Sequence, residues 1–262
     1  MKKLLALALA LLMVAALFAG CGSPKEEATE GNETEAEQTV LTMATNPEFP
    51  PFESIENGEI VGADIDMINA ICDKLGMTLE ITNVDFDAAL TGAATGKYDI
   101  AVSGITATEE RKKNMNFTDS YYKASQAVII RSDSTIASVA DLKGKTISCQ
   151  EATTGEQYIM DNSEAEGYKL QSFKTGPEAT AALVAGKVDA VVIDDAVAKA
   201  LSEKQNGATK ILDEPMTEEE YAIALKLGND ELTEKLNGAI KELKEDGTLK
   251  EIFAKYNLVI DE

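Results

Sequence analysis

Histidine and tryptophan are absent from this sequence. Without an imidazole, Ser-His and Cys-His nucleophilic catalysis and the common histidine-bearing zinc sites are excluded. Positive charge is scarce: 24 Lys and Arg stand against 46 Asp and Glu, a formal net charge of −22. A surface this acidic does not dock on nucleic acid or anionic lipid, although it is compatible with a locally basic pocket. Cysteine is limited to Cys21, Cys72 and Cys149, too few to make a disulfide framework. Cys72 falls in a helical pattern (DMINAICDKLG) and Cys149 in a strand pattern (TISCQ), and both read as small buried hydrophobes. Neither a metal nor a cofactor is expected.

What remains is ordinary for a globular chain: 262 residues, 44% hydrophobic and 27% charged, enough for one large domain or two modest ones. The N-terminus stands apart. Met1-Lys2-Lys3 is a basic region, Leu4 to Leu17 an apolar one, and Phe18-Ala19-Gly20-Cys21 closes it. A run this short with small residues at its end reads as an export signal over residues 1–20, not a membrane span. The cysteine after Leu17-Phe18-Ala19-Gly20 resembles the lipobox of bacterial lipoproteins, which implies acylation of Cys21 (palmitate) as the first mature residue. The alternative is an ordinary cleaved signal with a chance cysteine. Gly22 to Thr39 carries six glutamates, no aromatic residue and no aliphatic one larger than alanine. Such a stretch cannot bury enough to order itself, so residues 21–38 read as an acidic tether. Loss of Lys2 and Lys3 with the signal takes the formal charge from −22 to −24.

The tetrapeptide Gly-Lys-x-Asp occurs at Gly96–Asp99 and again at Gly186–Asp189, ninety positions later. Each copy follows an Ala-rich helical stretch and leads into a short apolar run, IAVSG and AVVID. Glycine ends a helix in the left-handed cap conformation, and the β-branched run reads as a buried strand. The repeat therefore predicts two similar lobes. Eight residues past each glycine stand Gly104 and Asp194, the predicted carboxyl ends of two strands, where open α/β sheets bind ligands. Strands are predicted at Val40–Thr45, Leu79–Thr82, Ile100–Gly104, Ala127–Ile130, Thr146–Cys149, Leu170–Phe173 and Tyr221–Leu227. Helices are predicted at Asp64–Leu75, Phe86–Thr95, from Thr153, from Pro177, at Asp195–Glu203 and twice near the C-terminus, where Leu232, Leu236, Ile240 and Leu243 share one face. This alternation argues for an α/β class with mainly parallel sheets. Crossings near 125–130 and 215–222 would make a double hinge, with residues 39–126 and 220–262 in one lobe and 127–219 in the other.

Ser103-Gly104-Ile105-Thr106-Ala107-Thr108-Glu109-Glu110-Arg111 is the densest segment for chemistry. Arg111 offers a planar fork of donors that matches a carboxylate, Thr106 a hydroxyl donor, and Gly104 bare backbone. Thr153-Thr154-Gly155 offers the free N–H groups of a helix N-terminus to the same anion. Asp194 is a fixed negative charge suited to an ammonium, and Phe49 and Phe86 are aromatic faces that can sandwich a side chain. Together these would recognise a zwitterion. Each has a duller reading. Arg111 has Glu109, Glu110 and Asp119 at hand as surface ion-pair partners, Phe49 and Phe86 could be core, and Asp194 and Asp195 could cap the following helix.

Several runs carry a wider resemblance: ATNPEFPPFE, GADIDMINAICDKLG, SGITATEERKKNMNFTDSYYKASQAVII, QEATTG, and VDAVVIDDAVA followed by YAIAL. They resemble the polar amino-acid-binding family of extracytoplasmic solute receptors for bacterial ABC importers, over roughly residues 38–258. The resemblance implies the two-lobe periplasmic-binding-protein fold (type II). It also implies a monomeric receptor, anchored at the cell membrane through Cys21, that passes a polar L-amino acid to permease and ATPase subunits without covalent chemistry. In that family the residues matching Arg111, Thr106 and the Thr154 backbone hold the ligand carboxylate. Those matching Asp194 and the Gly104 carbonyl hold the amine, and those matching Phe49 and Phe86 pack on the side chain. Specificity is expected to lie in Asn46, Phe49, Phe86 and Gln150, with Ser103 and Thr153 beside them. Members that bind basic amino acids often carry an aspartate where Asn46 stands, and an amide cannot neutralise a cation, so the expected ligand is glutamine-like or basic. Where some members bridge the cysteine matching Cys72, the partner position here is Leu79, so Cys72 should be free. The rival class is a periplasmic cyclohexadienyl or arogenate dehydratase-like enzyme on the same scaffold, with Glu151 or Asp194 as its carboxylate. A sensory module is disfavoured, because no membrane segment follows Tyr256.

Overall fold

The computed structural model describes residues 39–260. The signal peptide read at 1–20, the lipidation site Cys21 and the tether read at 21–38 lie outside the described residues. β1 (Thr39–Thr45) leads into a small antiparallel sheet of β2 (Glu48–Phe49), β3 (Glu53–Glu56) and β4 (Glu59–Val61). Two to four residues carry no readable period, so sequence reasoning leaves this stretch as loop. Then come α1 (Ala63–Leu75), β5 (Met77–Asn83), α2 (Phe86–Thr95), β6 (Ile100–Ala101), α3 (Glu109–Lys112), β7 (Met115–Phe117) and β8 (Tyr122–Ala124). The second lobe holds β9 (Gln126–Arg131), β10 (Thr146–Gln150), α4 (Thr154–Glu166), β11 (Lys169–Phe173), α5 (Gly176–Val184), β12 (Ala190–Asp194), α6 (Asp195–Glu203) and β13 (Thr209–Ile211). The chain returns through β14 (Glu219–Tyr221) and β15 (Ala224–Lys226) to α7 (Asp230–Glu245) and α8 (Thr248–Lys255).

The two five-stranded sheets have matching orders, β5-β1-β6-β15-β7 and β11-β10-β12-β9-β13. In each, four strands point one way and one runs against them: β15 in the first, β9 in the second. Those two are the strands by which the chain enters each sheet from the other lobe. The connections between lobes run side by side as the antiparallel pair β8–β14, with Tyr122 opposite Tyr221.

The Gly-Lys-x-Asp repeat has one job in both lobes. Gly96 and Gly186 take positive φ, 76° and 70°, just past α2 and α5. The aspartate three residues on then reaches the neighbouring parallel strand. Asp99 Oδ2 accepts from the Thr42 amide (2.8 Å) and hydroxyl (2.6 Å), and Asp189 Oδ2 accepts from the Thr146 amide (2.9 Å). The motif thus pins β1 in register with β6, and β10 in register with β12.

In the first lobe, α1 buries Ile65, Ile68, Ile71 and Cys72, and the stripe read on α7 (Leu236, Ile240, Leu243) joins the same core with Phe253 of α8. Each such side chain removed from water contributes about 1.5–3 kcal/mol. Cys72 and Cys149 are both free and buried. Burial pushes their thiols up to about 11 and about 12, which leaves them protonated and unreactive.

Two predicted strands break. Ile100–Gly104 is regular only to Ala101, because Gly104 turns the chain with φ 53°. Tyr221–Leu227 divides at Ala222–Ile223, whose amides donate to the Ile105 carbonyl and the Thr118 hydroxyl as the chain passes between sheets.

Candidate functional site

The carboxyl ends of the central strands in both lobes open on a common, tightly filled cavity. Asn46 follows β1, Phe49 sits in β2, Phe86 begins α2, and Ser103, Gly104 and Thr106 follow β6. Arg111 lies on α3, Gln150 and Asp194 end β10 and β12, and Thr153 and Thr154 open α4. All eleven line this cavity. The Thr108 hydroxyl caps α3 by accepting the Arg111 amide, and the Thr153 hydroxyl caps α4 by accepting the Glu156 amide. These caps satisfy orphan helix donors and fix where each terminus points.

Arg111 is turned inward. Its neighbours Glu109 and Glu110 pair with Lys112 and Lys113, while its guanidinium donates to the Thr106 carbonyl (2.9 Å) and, across the cleft, to the Ala152 carbonyl (2.9 Å). The Phe86 ring lies 5.6 Å from its central carbon. Burial lowers the guanidinium's pKa, while the charges of Glu219 and Asp194 act the other way. Asp194 holds the N-cap position of α6 but makes no capping bond. Its oxygens instead accept from Tyr221 Oη (2.6 Å) and from Gln126 Nε2. Burial, and then the charge of Glu219, hold its carboxyl well above the usual range against those two donors. Asp195, the first residue of α6, accepts the Ala196 amide with its Oδ1 (2.8 Å).

The Thr106 hydroxyl donates to Glu219 Oε2 (2.5 Å), as does Thr154 Oγ1 (2.8 Å). Glu219 is buried, and its other oxygen takes Gln126 Nε2 (3.1 Å) and Thr217 Oγ1 (3.1 Å). A buried carboxylate without a bonded cation needs this many donors, so it captures the hydroxyls from both lobes. Glu219, Gln126 and Tyr221 escaped sequence reasoning as parts of the site. Glu219 lies in a run of three glutamates that reads as solvated surface, and nothing in that run sets it apart from Glu218 and Glu220.

At the far end of the cavity two amides meet across the cleft. Gln150 Nε2 donates to Asn46 Oδ1 (3.0 Å), and Asn46 Nδ2 donates to the Val84 carbonyl (3.1 Å). Gln150 Oε1 is buried without a donor. Glu151, the other candidate carboxylate, does not line the cavity; it pairs with Lys174 at 2.8 Å, and Lys174 also approaches Asp85 and Asp87 of the first lobe at 3.8 and 3.9 Å. Among the described residues no cluster of three metal-ligating side chains occurs, and no helix is long and apolar enough to cross a membrane.

The chain is 32% identical over 257 residues to the arginine-binding extracellular protein ArtP of Bacillus subtilis (strain 168), covering 98% of each protein. Two solved structures of an ancestral arginine-binding protein are also similar. One is bound to arginine (41% identity, TM-score 0.80, 84% of this chain and 98% of that one). The other is bound to glutamine (40% identity, TM-score 0.79, 84% and 99%). Both lobes thus follow the type II periplasmic-binding-protein fold, and these relatives are named as binding proteins, not enzymes. Residues 41–259 match the family described as bacterial extracellular solute-binding proteins, family 3. The chain belongs to that family.

Proposed function

We propose that this protein is an extracytoplasmic receptor that binds a polar L-amino acid between its lobes and delivers it to an ABC importer. The observation that carries the reading is the pairing of Arg111 and Asp194 on one cavity, a guanidinium and a carboxyl group suited to a zwitterion's two ends. The carboxylate goes to Arg111 and the free amides that open α4, and the ammonium to Asp194 and the Gly104 carbonyl. Residues 39–126 with 220–262, and 127–219, serve as the two lobes. A ligand that touches both gains contacts only on closure, so it favours the closed state. Cys21 holds the receptor at the membrane through its lipid, with residues 21–38 as the tether. A permease and its ATPase are the partners.

The side-chain end selects for an N–H donor. Gln150 Oε1 lacks a donor, and Asn46 Oδ1 already holds the Gln150 amide. A ligand carboxylate there would meet acceptors, whereas an amide or guanidinium would satisfy them. This favours glutamine- and arginine-like ligands over glutamate or aspartate, in keeping with relatives named for arginine and with the glutamine-bound ancestral protein. The test is a thermal-shift screen of the twenty L-amino acids with ornithine, citrulline and cystine, since a ligand bound only by the folded state raises its Tm. Stabilisation by arginine or glutamine but not by glutamate is expected; no shift with any of them would refute the receptor.

Asn46→Asp should raise the arginine-to-glutamine affinity ratio about tenfold, because a carboxylate can pair with the cation. It should also lower the ligand-free Tm by a few degrees, because it sets a carboxylate oxygen against the Val84 carbonyl that Asn46 Nδ2 now satisfies. An unchanged ratio in competition calorimetry would remove Asn46 from the specificity argument.

A further inference from the structure

Behind the cavity wall lie two carboxyl groups that neither the fold nor the ligand contacts account for. Glu53, at the start of β3, and Asp64, in the first turn of α1, are both 0% exposed. Glu53 Oε1 accepts from the Ser103 hydroxyl (2.6 Å). Asp64 Oδ2 accepts from the Gly104 amide (3.0 Å) and from Tyr121 Oη (2.9 Å). No other residue donates to Glu53 Oε2 or Asp64 Oδ1. Two ionised carboxyls buried together, each with an oxygen that no donor reaches, would be costly, and a proton kept by one of them relieves the pair.

What the pair grips is the amine end of the proposed site. Ser103 Oγ, donated to Glu53, accepts the Asn46 amide in turn (3.1 Å). Gly104 holds a left-handed turn in which a Cβ would lie 2.7 Å from the Phe49 ring and 3.2 Å from that of Tyr221. The Asp64 carboxylate anchors the amide of that turn, and the turn aims the carbonyl to which the ligand amine is assigned.

We propose that Glu53 and Asp64 share one proton, and that the single negative charge on the pair, through Ser103 and Gly104, is a positioning element that strengthens the hold on the ligand ammonium. This rests on the reading of the protein as an amino-acid receptor. Burial raises Asp64 to about 6 and Glu53 well above the usual carboxylate range, where the Asp64 charge raises it further. Near neutral pH Glu53 is therefore the acid and Asp64 the carboxylate. Below about pH 6 the pair takes a second proton and its charge disappears. A bound ammonium favours the ionised form, so affinity rises with pH through this range, and binding there releases protons. The ionisable groups facing the pair are few. Tyr121 donates to Asp64, and Tyr221, packed on Tyr121, is committed to Asp194. Asp66, two residues along α1, pairs with Lys255 at the surface. Asp194 and Glu219 face the ligand from the other side and keep their contribution in every variant compared, so differences from wild type report the pair.

Two substitutions separate the roles. Glu53→Gln mimics the protonated acid and can still donate to Asp64; Asp64→Asn keeps an acceptor for Gly104 but removes the charge. L-Arginine and L-glutamine affinities are measured by calorimetry from pH 5 to 8, with fold checked by circular dichroism. Wild-type affinity should rise about tenfold across the range. E53Q should leave that rise in place, and D64N should lose the pair's share of it and bind about tenfold more weakly at pH 7.5. In ligand-free protein, stability owed to the raised Asp64 carboxyl is present below its ordinary pKa and lost as pH rises through about 6. E53Q should leave this fall in place, because a neutral amide stands in for a neutral Glu53. D64N tracking wild type at every pH would overturn the positioning role, and an E53Q Tm profile displaced to lower pH would overturn the shared proton, since only an ionised Glu53 would have been raising the Asp64 carboxyl. Failure of wild-type protein to bind either amino acid at any pH would instead refute the receptor reading, and the positioning role with it.

Discussion

Arg111→Ala is expected to reduce amino-acid affinity by about 10²–10³-fold, some 3–4 kcal/mol, with little change in ligand-free stability. Among the described residues the guanidinium is the one cationic group lining the cavity, and a carboxylate left there without it would be desolvated and unpaired, a loss of about 3–5 kcal/mol for a buried charge pair broken on one side. The amides that open α4 would recover part of this. Ligand-free stability should move by no more than about a kcal/mol, because the guanidinium donates only to the Thr106 and Ala152 carbonyls, which water can serve once the cleft opens. Arg111→Lys should fall between, since an ammonium restores the charge but not the two-pronged fork. Calorimetry decides it, and near-wild-type affinity for the alanine variant would remove Arg111 from the site.

The second large effect belongs to Asp194. Asp194→Asn is nearly isosteric and keeps an acceptor for Tyr221, yet it should weaken every zwitterionic ligand by about 10–100-fold, as expected when a charged hydrogen-bond partner is neutralised in a desolvated site. The variant should also change the pH response. Burial, then the Glu219 charge, raise the Asp194 carboxyl, so its contribution to stability is present at low pH and lost as pH rises through the raised value. A ligand ammonium stabilises the ionised form, so the Tm gain from saturating L-arginine should grow with pH in wild type. In Asp194→Asn both the ligand-free decline and this growth should flatten. Melting curves with and without arginine from pH 5 to 8 measure both at once, and a variant that kept the wild-type growth would shift the ammonium contact elsewhere.

Much of the scaffold was legible because it is written in local signals. Phe86–Thr95 was delimited by its glycine cap, α4 by the threonines that open it, α5 by Pro177, and α7 by a stripe of leucines and isoleucines. The short strands were not legible. β2, β3, β7 and β8 have two to four residues each, too few for a period to emerge, and they exist because partners arrive from elsewhere in the chain. The residues around the cavity were found because strand ends and helix starts converge on it. Their hydrogen-bond states were not. Thr106 reads as a donor to ligand, and the structure gives its hydroxyl a partner no local signal announces, Glu219, 113 positions away. Glu53 sits in a stretch read as loop, and Asp64 looked like an acidic residue of a helix's first turn, a common surface feature. Only their joint burial shows them to be a pair.

The sequence alone determined the exported class, the α/β alternation and the doubling of the lobe, since charge, period and a repeated turn are properties of neighbours along the chain. The Gly-Lys-x-Asp motif carried the doubling down to the bond, with Asp99 and Asp189 each holding the adjacent strand. Tertiary structure alone decided which hydroxyls point into the cavity, which carboxyl groups lose water, and that Asn46 and Gln150 meet across the cleft. Those are consequences of burial and of contacts between residues dozens of positions apart, and a carboxyl group's proton depends on what surrounds it, not on what adjoins it in sequence.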